Sequence, residues 1–298
     1  MAGLSGGERL PLLRKVRRST VPTVLREATT KSRPGLTTTS TVSRPRPSEP
    51  GGNQTPDVSP EQHSLPRSIV LHLLPGAALF GFVLVAAALG MPAILALLVG
   101  IALVIVPIEL GYLLYQGRQK AGRWSVWEVV GYREPLPARR IALWAVPLVA
   151  WFIVMLFLSV AVLDERIADG LFSWYPESVR EFASLEGDST YATWVLVVAF
   201  AAAFAINGVI GPVVEELYFR GHLLPRIDRF GRGAPVLNAV LFSLYHLWTP
   251  WQNIGRILGL LPWIFTVWRK RSLALSIAVH ISVNCIFLLL MLAALTAD

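Results

Sequence analysis

Residues 68–108 read SIVLHLLPGAALFGFVLVAAALGMPAILALLVGIALVIVPI, without one Asp, Glu, Lys or Arg. A membrane-spanning helix needs about 20 apolar residues. This run is twice that length and is interrupted only by Gly90-Met91-Pro92, so it reads as a hairpin of two transmembrane helices. Further uncharged runs cover Ile141 to Leu163, Tyr191 to Val214 and Ser272 to Ala297. Between Gly233 and Trp268 the one charge is Arg256, and Thr249-Pro250-Trp251 breaks the stretch, which predicts two short spans there. The expected fold is an all-α polytopic membrane protein, a bundle of seven spans, with eight as the nearest alternative.

Composition agrees. Only 15% of the 298 residues are charged, against about a quarter in a soluble domain, and the mean hydropathy is +0.54. The single cysteine, Cys285, excludes a disulfide framework and a cysteine-based zinc site, and its apolar surroundings make it a packing residue. The net charge of +8 is concentrated in residues 1–67, which hold eleven Lys/Arg against five Asp/Glu in a Pro/Ser/Thr/Gly-rich context. That segment has no aromatic residue and no nucleic-acid-binding module, so nucleic acid is not the expected partner. It reads as a disordered cytoplasmic tail that precedes a membrane-embedded domain of residues 68–298.

Loop charges give the orientation. Gly117–Arg140 has six basic residues against two acidic, Arg220–Gly233 four against one, and Arg269-Lys270-Arg271 three against none. Asp164–Thr190 between them carries seven acids against two arginines. Basic loops alternate with acidic or neutral ones at every crossing, as the positive-inside rule requires, which puts the N-terminus in the cytoplasm.

A charge in the hydrocarbon costs on the order of 2.5–3.5 kcal/mol on insertion scales, so each one needs a reason. Three clusters stand out: Glu215-Glu216-Leu217-Tyr218-Phe219-Arg220, Phe242-Ser243-Leu244-Tyr245-His246 and His280-Ile281-Ser282-Val283-Asn284. Glu216 and Arg220 are spaced i, i+4 on a helix and predict an ion pair, while Glu215 is rotated away from it and left for other work. His280 and Asn284 share a face in the same way. At about 1.5 Å of rise per residue, counted from the basic edges at Arg226, Gly233 and Arg271, Glu215 is roughly 16 Å deep, His280 roughly 14 Å, and His246 and Asn284 roughly 20 Å. For Glu215 to lie at that depth, its helix must continue to about Arg226, with an irregularity at Gly208–Pro212. A layer of carboxylate, imidazoles and amide suits hydrolysis by an activated water. It equally suits interhelical hydrogen bonding in a scaffold, or proton coupling through Glu215 in a transporter. Glu109, in Val106-Pro107-Ile108-Glu109, either faces the same cavity or serves as a structural partner or a snorkelling acid.

Glu215-Glu216-x-x-x-Arg220, Phe242-x-x-x-His246 and His280-x-x-x-Asn284, in that order on successive hydrophobic segments, resemble the three motifs of the CPBP family. This family comprises the type II CAAX prenyl endopeptidases and the bacteriocin-processing or immunity proteins also called Abi. The resemblance covers about residues 124–297. It implies an intramembrane endopeptidase acting on a membrane or lipidated protein, with Glu215 as the water-activating base, His246 as its partner, His280 and Asn284 as the oxyanion hole, and Glu216 and Arg220 ordering the site. A non-proteolytic immunity or scaffold protein of the same fold is the alternative. A zinc-dependent reading of such enzymes also exists. This chain has no His-Glu-x-x-His motif, and a Glu/His/His set would need ligands from three separate helices, so no cofactor is expected.

Overall fold

In the computed structural model of the protein, residues 60–180 and 193–295 are described; the segment read as a disordered tail lies, up to residue 59, outside them. The chain is an all-helical integral membrane protein. Among the described residues there is no strand, and the nearest approach to one is a single antiparallel bridge between Arg133 and Ser272.

Five helices are long and apolar enough to cross a membrane: α1 (Leu65–Ala88), α2 (Ile94–Ala121), α3 (Ala138–Leu171), α4 (Val197–Phe230) and α7 (Leu273–Ala293). Two others lie between α4 and α7. These are α5 (Gly233–Tyr245), too short to span, and α6 (Asn253–Lys270), which carries Arg256, Arg269 and Lys270. The seven helices occur in the order that the hydropathy predicts. A count of seven spans is not established, because α5 and α6 do not meet both the length and the composition of a span. Only 22–39% of each spanning window is buried within the protein. The outward faces carry residues such as Leu103, Leu143, Val146, Val154, Val197 and Leu289, a surface that water would not tolerate and hydrocarbon would.

Local sequence explains the breaks. Ser64 caps α1 by accepting from the Arg67 amide, and Gly90 with φ +83° ends the turn before Pro92 starts α2. Gly122, at φ +73°, closes α2. Arg271 takes the left-handed conformation between α6 and α7.

The residues just before α1 are tied down. The His63 amide donates to the Arg226 carbonyl at 2.8 Å, Gln62 donates to the Pro225 carbonyl at 2.9 Å, and the Arg229 amide donates to Gln62 Oε1 at 3.0 Å. The stretch read as tail up to residue 67 therefore includes, in its last residues, a strap across the end of α4 and the first turn of α1.

Two glycines allow helices to meet closely. A Cβ on Gly76 of α1 would fall 2.0 Å from the Tyr245 carbonyl oxygen, and one on Gly255 of α6 would fall 2.3 Å from Ser159 Cβ of α3. The first contact places α1 directly behind the end of α5. Tyr218, Phe219, Tyr245 and Trp263, almost wholly buried, fill the space between α1, α4, α5 and α6.

Candidate active site

α4 is irregular where the site lies. Phe204–Ile210 is π-helical, Gly211–Glu215 returns to α, and Glu216–Leu223 is π-helical again. Pro212 has no amide hydrogen to donate one turn back, and Gly208 and Gly211 lower the cost of a widened turn. The Gly211 amide instead bonds the Ile206 carbonyl five residues back. Such widened turns gather at functional sites because they turn carbonyls and side chains out of the regular ladder. The expected irregularity is present and starts four residues earlier than Gly208.

Glu216 is fully buried and fully employed. Its Oε1 pairs with Arg220 Nη1 at 3.0 Å and lies 2.8 Å from His280 Nδ1, and its Oε2 accepts from Ser276 Oγ at 2.5 Å. Arg220 is also fully buried, with its guanidinium carbon 3.9 Å from the Phe242 ring centroid and 5.3 Å from that of Trp263. The i, i+4 ion pair read from the sequence thus exists, and aromatic faces supply what bulk water would otherwise give the cation.

Glu215 has a different environment. It retains 9% exposure against 0% for Glu216, accepts from the Tyr245 hydroxyl at 3.3 Å, and has His280 Nε2 at 3.8 Å from its Oε2. No arginine is bonded to it. Of the two adjacent carboxylates, one is consumed by structure and the other faces a partly open space.

His246 is the residue at which α5 ends. Its backbone, at φ −79° and ψ 62°, leaves the helix, and its Nδ1 lies 2.8 Å from the Phe242 carbonyl. A carbonyl can only accept, so Nδ1 carries the hydrogen and a neutral ring keeps its lone pair on Nε2. The ring packs 5.0 Å from Phe242 and 4.9 Å from Tyr245, and the Tyr245 hydroxyl is bonded to Glu215. Behind it, Arg256 donates to Thr249 Oγ1, Gln252 Oε1 and Asn253 Oδ1 and reaches the Ser243 carbonyl, which fixes the turn after His246.

α7 completes the set with Ser276, His280 and Asn284 on one face. Asn284 donates to the Asn207 carbonyl at 2.8 Å, in the first widened turn of α4, which leaves its second N–H for other use. Glu215, Glu216, Arg220 and His280 are therefore in direct contact. His246 joins them through Tyr245 and Phe242, and Asn284 lies one turn further along the His280 face. Ser276 and Tyr245 were not singled out from the sequence. Ser276 continues the i, i+4 spacing of His280 and Asn284 by one step, a signal that could have found it.

Glu109 of α2 belongs to the same cluster. It is fully buried, and neither of its oxygens has a hydrogen-bond partner. It is not a snorkelling acid. An apolar groove of about 310 Å³, lined by Leu95, Leu98, Val99, Ala102, Ala199 and Ile206, opens between α2 and α4 and ends one residue from Asn207.

A zinc site needs about three or four converging ligands. Among the described residues no three His, Cys, Asp or Glu side chains form such a group, and Glu216 and His280 are already bonded to each other. These donors do not fit zinc.

No curated protein and no solved structure matches the chain. Residues 197–286, the segment that runs from α4 into α7 and carries Glu215, His246, His280 and Asn284, match the family model described as Type II CAAX prenyl endopeptidase Rce1-like, and over that segment the chain bears out the resemblance of its three motifs to the CAAX proteases.

Proposed function

We propose that the protein is an intramembrane endopeptidase that cleaves a peptide bond in a membrane or lipidated protein with a water activated by Glu215 and His246. The observation that carries this reading is the division of labour between two neighbouring glutamates. Arg220, Ser276 and His280 saturate Glu216, while Glu215 keeps 9% exposure and has no Arg or Lys at ion-pair distance, only His280 Nε2 at 3.8 Å.

In this mechanism a water lies between the Glu215 carboxylate, which takes its proton, and His246 Nε2, which accepts a second hydrogen bond. The resulting hydroxide attacks the scissile carbonyl. The free N–H of Asn284 donates to the oxyanion. His280 adds a second donor from Nε2 only when both ring nitrogens carry hydrogen, because its Nδ1–H is held by Glu216. Glu215 passes its proton to the leaving amine. The groove between α2 and α4 offers a wholly apolar lining to a hydrocarbon chain on the substrate, which agrees with a prenylated or otherwise lipidated protein. The basic loops support a cytoplasmic position for the N-terminus and for the Arg226–Arg232 end of α4.

Comparative proteomics of membranes carrying the intact protein or Glu215→Ala tests the reading. The expected result is a membrane or lipidated protein whose C-terminal region is processed only by the intact protein. An unchanged proteome with both variants folded would favour a non-proteolytic immunity or scaffold role. Proton flux into vesicles without proteolysis would favour a transporter.

A further inference from the structure

Among the described residues two arginines are buried, Arg220 and Arg256, and only the first has an acid bonded to it. Arg256, in the first turn of α6, keeps 7% exposure and has no Asp or Glu at ion-pair distance. Asp164 of α3, the acid that faces it, accepts from Ser159 Oγ at 2.6 Å through one oxygen and has no partner on the other. The hydrogen bonds of Arg256 run to neutral oxygens. Its Nη2 donates to Thr249 Oγ1 at 2.8 Å and Gln252 Oε1 at 2.9 Å, and its Nη1 to Asn253 Oδ1 at 3.2 Å and the Ser243 carbonyl at 3.4 Å. A buried guanidinium without a counterion is expensive, and a neutral donor would brace a turn at less cost.

The end of α5 supplies the missing negative charge. The last carbonyls of a helix carry a partial negative charge, and the helix dipole stabilises a cation beside them. Ser243, whose carbonyl Arg256 reaches, is in the last turn of α5. A guanidinium is also a planar fork that holds two groups in a fixed geometry. Here one nitrogen reaches Ser243, three residues before His246, and the other bonds Thr249, three residues after it. Both residues hold the His246 backbone. The His246 amide donates to the Ser243 carbonyl at 3.1 Å, and the His246 carbonyl accepts from the Thr249 amide at 3.1 Å. The fork therefore grips both sides of the point where α5 breaks. Its own base is firm, because Ser243 Oγ donates to Asn253 Oδ1 at 3.0 Å and the neighbouring Gly255 lets α6 rest on Ser159 of α3.

We propose that Arg256 is a positioning residue for the reaction: by gripping both sides of the break it stops α5 at His246 and sets the direction in which Nε2 of that ring meets the water beside Glu215. The inference rests on His246 being the partner of Glu215 in the proposed reaction, but the placement of the ring can be read without any substrate.

The full-length protein in lipid nanodiscs, with 15N in its histidine rings, is examined by solid-state NMR, and the same preparations are assayed on a fluorogenic farnesylated C-a-a-X peptide. The chain has five histidines, and the His246 signal is the one lost in His246→Gln. That signal is expected to shift in Arg256→Met, which keeps the bulk of the side chain and removes its donors. It is also expected to shift in Arg256→Lys, which keeps the charge and cannot hold both sides of the break. In Arg256→Met and Arg256→Ala kcat is expected to fall by about a hundredfold with KM little changed, as for a misplaced reacting group. Added guanidinium is expected to restore part of kcat in Arg256→Ala and none in His246→Ala. Wild-type kcat in folded Arg256→Met would overturn the proposal. A loss of kcat with the His246 signal unmoved would overturn it also, since the effect would then lie elsewhere in the fold. Should Arg256→Met fail to fold, the same signal in Arg256→Lys decides. If the wild type cleaves no peptide, the peptidase reading loses its support while the His246 signal still decides whether Arg256 places the ring.

Discussion

His280 Nδ1 lies 2.8 Å from Glu216 Oε1, so the imidazole expected to serve the oxyanion is held in place by the carboxylate that pairs with Arg220. The two glutamates should therefore respond differently to removal. Glu216→Ala leaves the Arg220 guanidinium buried and unpaired, and should destabilise the fold by about 3–5 kcal/mol. Glu215→Ala should abolish cleavage while the unfolding temperature in detergent changes little. An equal loss of stability in both variants would make Glu215 a structural residue as well.

Asn284 anchors to the Asn207 carbonyl with one N–H and keeps the other. If that second hydrogen meets the oxyanion, Asn284→Ala should lose about 2.7–4 kcal/mol of transition-state stabilisation, visible in kcat. A rise in KM at constant kcat would place Asn284 in substrate binding instead.

Gly76 and Gly81 form a matched pair on α1. A methyl group at residue 76 would collide with the Tyr245 carbonyl, whereas one at residue 81 meets nothing within 4 Å. Gly76→Ala should destabilise the protein by about 1–3 kcal/mol through overpacking and lower kcat by displacing the end of α5. Gly81→Ala should be neutral or stabilising by up to about 1 kcal/mol from helix propensity. Thermal unfolding of both variants, with kcat measured alongside, checks the pair.

The strap before α1 should respond to acid. Burial, and then the charges of Arg67 and Arg226, push the His63 pKa down from 6.5 to about 4. The unfolded or undocked segment therefore binds more protons than the docked one between those values. Docking is fully stable above about 6.5 and weakens as pH falls towards about 4. Hydrogen exchange at the Gln62–Ser64 amides, corrected for intrinsic rate, should accelerate over that interval, and the acceleration should vanish in His63→Phe.

Much of this was readable from the residues alone. Uncharged runs located the helices because hydrocarbon admits few charges, and the spacing of Glu216 and Arg220 gave their ion pair because one helical turn brings them together. The continuation of α4 past Glu216 to about Arg226 followed from requiring the polar groups to share a depth, and the helix runs four residues further, to Phe230. Other features depend on contacts between helices distant in sequence. The saturation of Glu216 needs α7, the link from Glu215 to His246 needs the Tyr245 hydroxyl, and the partnerless state of Glu109 is visible only once α2 stands against α4. The depth of His246 was counted with helical rise up to that residue, and the structure shows that α5 ends there, because the turn that follows is held by Arg256 from another helix. The strap at residues 60–64 was read with the polar tail because its composition is polar; its backbone bonds to the end of α4 leave no mark in local sequence.

The contact of Gly76 with the Tyr245 carbonyl bears on how far the reaction centre can be separated from its surroundings. Residues 197–286 hold the three motifs, yet the Tyr245 carbonyl at the end of α5 rests on the bare backbone of α1 at Gly76, and the Tyr218 hydroxyl that steadies α4 donates to the Leu71 carbonyl at 2.8 Å. Helix α1, outside the matched segment, acts on the site through the Leu71 carbonyl, which any residue could supply, and through the absent side chain of Gly76, which only glycine does. A chimera that transplants residues 197–286 into another bundle would carry every reactive group and still lack the surface that aligns them.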